Sequence, residues 1–161
     1  MENDGDLRFD LGDGTPERLK RQLSRLLGMT AAQAARYAGD ALRGVDAHKD
    51  HFVVLAALAE QGPASQAALS DRTRVYKSDL VAVLNVLEAH AWVRRSPDPA
   101  DKRRNVITIT REGETRLGEL GRILDGVNEH IMAQLDRAER ARLFDYLGRI
   151  NAHLASAPEQ D

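Results

Sequence analysis

Lysine and arginine cluster at two neighbouring places in this chain, Arg94-Arg95 and Lys102-Arg103-Arg104, with Pro97, Asp98, Pro99 and Asp101 between them. A run of such cations at a turn suits contact with phosphate oxygens, and a guanidinium can also hydrogen-bond a base edge or enter a narrow groove. Just upstream, Tyr76, Lys77, Ser78 and Asn85 are polar residues whose spacing places them on the outer face of a helix. Hydroxyl, ammonium and amide groups on one helical face are the donors and acceptors that read a base edge in a major groove. Ser65 and Gln66 open a shorter helix whose first N–H groups could also meet phosphate, and Arg72 and Arg74 stand just ahead of the longer one. The bland reading of each is a solvated face, a capping serine, or arginines paired with Asp71 or Asp79.

Other chemistry is poorly represented. There is no cysteine, so disulfides, thiolate nucleophiles and thiol-based redox sensing are excluded. No G-x-S-x-G, no GxxxxGK[ST] and no carboxylate pair at diagnostic spacing occurs, so no enzyme is expected and no cofactor or metal is implied. Of the five histidines, His48 and His51 stand one helical turn apart; without a third ligand at set spacing they read more simply as structural, or as part of a ligand pocket.

The elements that would hold these groups can be read from periodicity. Leu80, Val83, Leu84 and Leu87 recur at the i, i+3, i+4, i+7 spacing of one helical stripe over 76–90. Trp92-Val93 leads into the first arginine pair, the two prolines forbid helix, and Val106 to Ile109 resume with β-branched residues, so a two-stranded ribbon follows. A helix with a polar outer face followed by a hairpin with a basic tip is the geometry of a winged helix. Ahead of it, a helix over about 47–60 (cap Asp46, core Phe52, Leu55, Leu58) ends at Gly62-Pro63, and Ser65 caps a short helix to about Arg72. Thr15-Pro16 starts one long helix or two nearly collinear ones, Gly28 being a place where a bend could fall. Thr110 caps a long helix after the ribbon, with Leu117, Leu120, Leu124, Val127 and Ile131 as its seam, and Asp136 with Glu139 opens a last helix striped by Leu147, Ile150 and Leu154.

The net charge is −2, but residues 65–104 hold eight basic and five acidic side chains, so this stretch is basic within an acidic whole. No apolar run is long enough to span a membrane, and the acidic start is unlike a signal peptide, so a cytoplasmic protein is expected.

Leu87-Glu88 followed by Trp92-Val93, then Asp98-Pro99-Ala100-Asp101-Lys102-Arg103, then Ile109-Thr110-Arg111-Glu112-Gly113 resembles the MarR family of transcriptional regulators over roughly residues 18–156. The resemblance implies that 76–90 is a recognition helix, that Arg103 is the wing-tip arginine and Asp101 the acid orienting it, and that Lys102, Arg104, Arg94 and Arg95 contact phosphate. This chain departs from the family pattern at Ala91, where a glycine is usual, and at Ala82, where a basic residue is common.

The expected architecture is mostly α with a small β-wing. It comprises a flexible acidic tail (1–14), an N-terminal dimerisation helix (15–44), a winged helix-turn-helix domain (45–110), C-terminal dimerisation helices (111–156) and a tail (157–161). The resemblance implies a homodimer through Leu19, Leu23, Leu117, Leu120, Leu124, Val127, Ile131, Leu147, Ile150 and Leu154, where the residues alone also allow a monomeric bundle. It implies double-stranded DNA as partner and a small-molecule effector near Arg36, Tyr37, His51, Phe52 and Leu55. Against a regulator that binds a pseudo-palindromic operator, most simply as a repressor, stands a winged-helix module for protein or ligand binding alone.

Overall fold

The computed structural model describes residues 15–102 and 104–156; the expectations for 1–14, for Arg103 and for 157–161 lie outside those residues. The described chain is helical apart from one small sheet. A short α1 (Glu17–Lys20) precedes α2 (Leu23–Arg43). The break falls at Arg21–Gln22, where Gln22 is extended, and not at Gly28, which lies within α2. A single internal glycine costs a helix only about 1 kcal/mol, too little to interrupt 21 residues. Thr15 does not cap: Pro16 holds the N-cap position and no side chain bonds there.

The next helix, α3 (Lys49–Gln61), is capped by His48 rather than Asp46. Asp46 instead takes a left-handed conformation (φ 53°), which its short polar side chain tolerates, and so turns the chain out of α2. Nδ1 of His48 accepts from the Asp50 N–H at 3.3 Å, and Nδ1 of His51 accepts from the His48 N–H at 3.2 Å. Two imidazoles thus form the reciprocal cap usually made by a hydroxyl and a carboxylate. The inner face of α3 is His51, Val54, Leu55 and Leu58, while Phe52 is only partly buried.

Ala64–Ser65 form a short strand, β1, which periodicity did not suggest. It pairs antiparallel with β3 (Asn105–Ile109), which also pairs with β2 (Val93–Pro97), giving the order β1-β3-β2. Ser65 also acts as a cap, since its Oγ accepts from the Ala68 N–H at 3.2 Å at the start of α4 (Gln66–Thr73).

α5 (Lys77–Ala89) buries Leu80, Val83, Leu84 and Leu87, the stripe read from the sequence. They join Leu42, Val54, Leu55, Leu58, Leu69, Val93, Ile107 and Leu120 in one core. Each fully buried leucine contributes roughly 1.5–3 kcal/mol, so this core holds α5 firmly against the sheet.

α5 closes on a residue that has a Cβ where glycine is favoured. Ala91 is left-handed (φ 57°). The Trp92 N–H bonds the Leu87 carbonyl at 2.9 Å and the Ala91 N–H bonds the Glu88 carbonyl at 2.9 Å, the paired closure of a Schellman motif. Although glycine is usual here in the family that the sequence resembles, Ala91 itself takes the left-handed conformation.

α6 (Arg111–Ile131) starts at the expected cap, with the Gly113 N–H bonded to Thr110 Oγ1 at 3.0 Å. Gly113 is packed so closely that an added Cβ would lie 2.0 Å from the Trp92 carbonyl oxygen. The seam expected on α6 is divided by burial. Leu120 and Val127 are buried within their own chain, at 0% and 5% exposure. Leu117 and Leu124 pack partly on the core, whereas Ile131 is 43% exposed. The chain separates into two compact units, one ending at Asp125 and one beginning at Gly126. In the second, Asp136 and Glu139 exchange backbone-to-carboxylate bonds at 2.8 and 2.9 Å and start α7 (Arg137–Ser156), which buries no residue.

A left-handed non-glycine residue costs about 1–2 kcal/mol. Ala91→Gly relieves this against some gain in unfolded-chain entropy, so it should raise the unfolding free energy by about 1 kcal/mol, read as a higher urea midpoint. An unchanged or lower midpoint would show that Ala91 is not strained.

Candidate nucleic-acid interface

Four side chains proposed from the sequence to meet DNA (Ser65, Gln66, Arg95 and Arg104) share a groove with Val81 and Asn105, which are not in that set. Ser65 and Gln66 open α4, Val81 stands on the outer face of α5, and Arg95, Arg104 and Asn105 belong to the wing; together they line one groove of about 440 Å³. A second concavity at the turn between α4 and α5 is lined by Ser70, Arg74, Tyr76, Lys77 and Ser78. This turn is held by Ser70 Oγ donating to the Val75 carbonyl at 2.7 Å, and by Arg74 in the left-handed region (φ 57°).

The outer face of α5 is exposed as expected: Lys77, Ser78 and Asn85 are open and Tyr76 is 79% exposed. Tyr76 caps α5 without a side-chain bond, so the first N–H groups of that helix gain nothing from it. The cations divide by their engagement. Arg74, Lys77, Arg94 and Lys102 enter no ion pair among the described residues. Arg72 pairs with neither Asp71 nor Asp79; it donates to the Gly62 carbonyl at 3.2 Å. Arg104 lies 3.7 Å from Asp101, both exposed, a contact worth roughly 0–1 kcal/mol. Asp98 shapes the hairpin, with its carboxylate accepting from the Ala100 N–H at 2.8 Å.

Arg94 and Arg95, adjacent in sequence, have different surroundings. Strand alternation puts Arg95 on the side of buried Val93 and turns Arg94 away. Arg95 donates from Nη2 to Asn85 Oδ1 at 2.9 Å and its Nη1 lies 3.0 Å from Glu88 Oε2, so it spans from the wing to α5. The period-2 pattern around Val93 was the available sign of this difference.

A sheet of this order, with a helix exposing donors beside it and cations around both, defines a winged-helix DNA-binding protein. The model of the MarR family matches residues 44–104. Over 104 residues the chain is 36% identical to the transcriptional regulator HosA of Escherichia coli, covering 65% of this chain and 76% of HosA. Over 99 residues it is 31% identical to the HTH-type transcriptional repressor NicR of Pseudomonas putida, covering 62% of this chain and 63%, just under two thirds, of NicR. The chain belongs to the MarR family and is a transcriptional regulator that binds DNA; its relatives are regulators, not enzymes. The fold is also that of Bordetella bronchiseptica BpsR, with a TM-score of 0.72 at 24% identity over 89% of this chain and all of that one. A MarR variant from Escherichia coli bound to operator DNA gives a TM-score of 0.68 at 23% identity, over 81% of this chain and 94% of the other. Among the described residues no helix is long and apolar enough to cross a membrane.

The residues expected near an effector differ in burial. Leu55 is wholly sealed in the core and offers no surface to a ligand, which corrects its place in that set. Arg36 and Tyr37 are exposed on α2, while His51 is 9% exposed and Phe52 partly buried. Arg116 was not singled out by the sequence. Its guanidinium stacks 4.9 Å from the Trp92 ring centroid, donates to the Val45 carbonyl and lies 3.1 Å from Glu119 Oε2, while Nε is buried without a hydrogen bond. His90 stacks on Trp92 at 4.4 Å. Its position next to Leu117 on the inner side of α6 was the one available signal for Arg116.

Burial chiefly, then His48, hold the His51 pKa below its usual 6.5; Arg116 and His90 act in the same sense and Asp50 opposes. Protonating Nδ1 would also remove the acceptor of the His48 N–H. A depressed folded-state pKa means that the stability His51 confers is complete above pH 6.5 and is lost as pH falls through the lowered value. Urea unfolding between about pH 8 and about pH 5 should therefore show wild type losing more stability on acidification than His51→Gln. Equal losses would remove His51 from this role.

Proposed function

We propose that this regulator is a homodimeric repressor that binds a pseudo-palindromic operator and is released by a small molecule. The observation that carries the DNA-facing assignment is the groove joining α4, α5 and the wing, with Ser65, Gln66, Val81, Arg95, Arg104 and Asn105 around it. In this reading residues 45–110 form the DNA-binding domain. The outer residues of α5 meet base edges in a major groove. Lys77, Arg74, Arg94 and Lys102 meet phosphates, and Arg103, with Asp101, serves the adjacent minor groove.

The dimer reading draws on apolar side chains left in water. α7 exposes Phe144 (62%), Tyr146 (53%), Leu147 (41%) and Leu154 (64%), and α2 exposes Leu23 and Leu26. Fully burying such side chains stabilises by roughly 1.5–3 kcal/mol each, so 15–44 and 111–156 have reason to associate with a second copy. Two copies about a two-fold axis would present recognition helices about 34–36 Å apart, one DNA turn. A ligand with higher affinity for another spacing would release the operator by its differential affinity for the two states. The repressor sense is supported by NicR, and ligand control by the regulation of BpsR by 6-hydroxynicotinic acid.

Fluorescence anisotropy with duplex from the upstream region of its own gene, and with random duplex pools, is the direct test. Selected duplex should bind more tightly than scrambled duplex and weaken steeply with salt, and Arg103→Ala should bind several-fold more weakly. Binding that ignores both sequence and salt would sink the operator reading.

Leu147→Asp combined with Leu154→Asp should shift sedimentation from dimer to monomer and abolish tight operator binding while α5 and the wing stay folded. A dimer that survives both changes would exclude this face.

A further inference from the structure

Arg95 is a wing cation without the freedom of one. Its Nη2 donates to Asn85 Oδ1 at 2.9 Å and its Nη1 pairs with Glu88 Oε2 at 3.0 Å, and its side chain is 26% exposed. A guanidinium has only donors, so the atom of Asn85 that faces it is the oxygen, whichever way the amide might otherwise turn. Glu88 meanwhile offsets the charge that a phosphate contact would need. Asn85 stands two turns beyond Ser78 on the exposed face of α5, one turn from Val81, which lines the same groove as Arg95. Its amide makes no other side-chain hydrogen bond among the described residues.

We propose that Arg95 is a positioning residue for base readout: it holds the Asn85 oxygen, so that Asn85 presents the Nδ2 donors to the major groove and selects a base edge rich in acceptors, guanine or thymine, over adenine. Adenine is read by asparagine through a paired donor and acceptor, and the acceptor here is engaged by Arg95. This rests on the reading that the outer face of α5 meets base edges. Arg95 then differs in kind from Arg94, which has no such partners and remains available to phosphate.

The test is affinity for operator variants with each base pair changed in turn, at several salt concentrations, for wild type, Arg95→Lys, Arg95→Ala, Asn85→Ala and the Arg95→Lys/Asn85→Ala double variant. Lysine keeps the charge and a phosphate contact but loses the planar fork. Wild type should prefer guanine or thymine at one pair per half-site by about tenfold. Arg95→Lys and Asn85→Ala should each flatten that same preference, the double variant no further than Asn85→Ala alone, with the salt slope unchanged in all. Three results would overturn the proposal: Arg95→Lys keeps the preference that Asn85→Ala loses; the preferred base is adenine; or Arg95→Ala lowers the salt slope by about 0.9 per contact with base preferences intact, which marks a phosphate contact. Wild type lacking preference at every pair would overturn the reading of α5 as well. Preferences elsewhere that Asn85→Ala leaves intact would overturn this proposal alone.

Discussion

The backbone at Ala91 and Trp92 is where four elements of the DNA-binding unit are tied together. The Trp92 N–H closes α5 on the Leu87 carbonyl, and the Trp92 carbonyl accepts from the Thr110 N–H at 3.0 Å. Thr110 Oγ1 donates to the Ala91 carbonyl at 2.6 Å and accepts the Gly113 N–H that starts α6. The end of α5, the start of β2, the end of β3 and the start of α6 are thereby satisfied by one another. Backbone groups at the ends of helices lack partners within the helix, and here neighbouring elements supply them. The absence of a side chain at Gly113 is what lets α6 approach the Trp92 carbonyl at all.

From this junction follows the relation between recognition helix and wing. α5 cannot tilt without breaking its closure, and β2 leaves the closure with Val93 turned into the core. Strand alternation then brings Arg95 back over α5, where it meets Asn85 and Glu88. The helix and ribbon are therefore joined twice, at the backbone by the turn and at the side chains by a guanidinium fork. Such rigidity suits a reader of base edges, since directional hydrogen bonds lose value when the helix that carries them can swing.

The same junction carries a guanidinium and an imidazole against Trp92. Arg116 and His90 lie against that ring, and His51 lies close enough to them for their charges to disfavour its protonation. His51 also caps α3 through Nδ1, so its neutral form is built into the start of the helix on which Leu55 and Leu58 pack into the core. An arginine with one nitrogen buried and unbonded is tolerable only because its other nitrogens have a carbonyl and a carboxylate as partners.

What could be read from the sequence was governed by short-range physics. The stripe of α5, the Thr110 cap, the Asp136–Glu139 box and the basic stretch at the wing all depend on residues a few positions apart, where periodicity and capping chemistry are visible. The His48 cap was missed because imidazole is an uncommon capping acceptor, and Asp46 was the better candidate by residue type. Tertiary structure alone decided the rest. Two residues make β1, too few for a periodic signal, and only their pairing with β3 makes them a strand. Leu120 has the spacing of a partner-facing seam, yet the core of its own chain claims it. Arg116 reaches a carbonyl 71 positions away, and Arg95 finds its partners across a turn. Periodicity states which faces are apolar and which are charged; which other surface each face meets is decided by the folded chain, because those contacts join residues that no local pattern links.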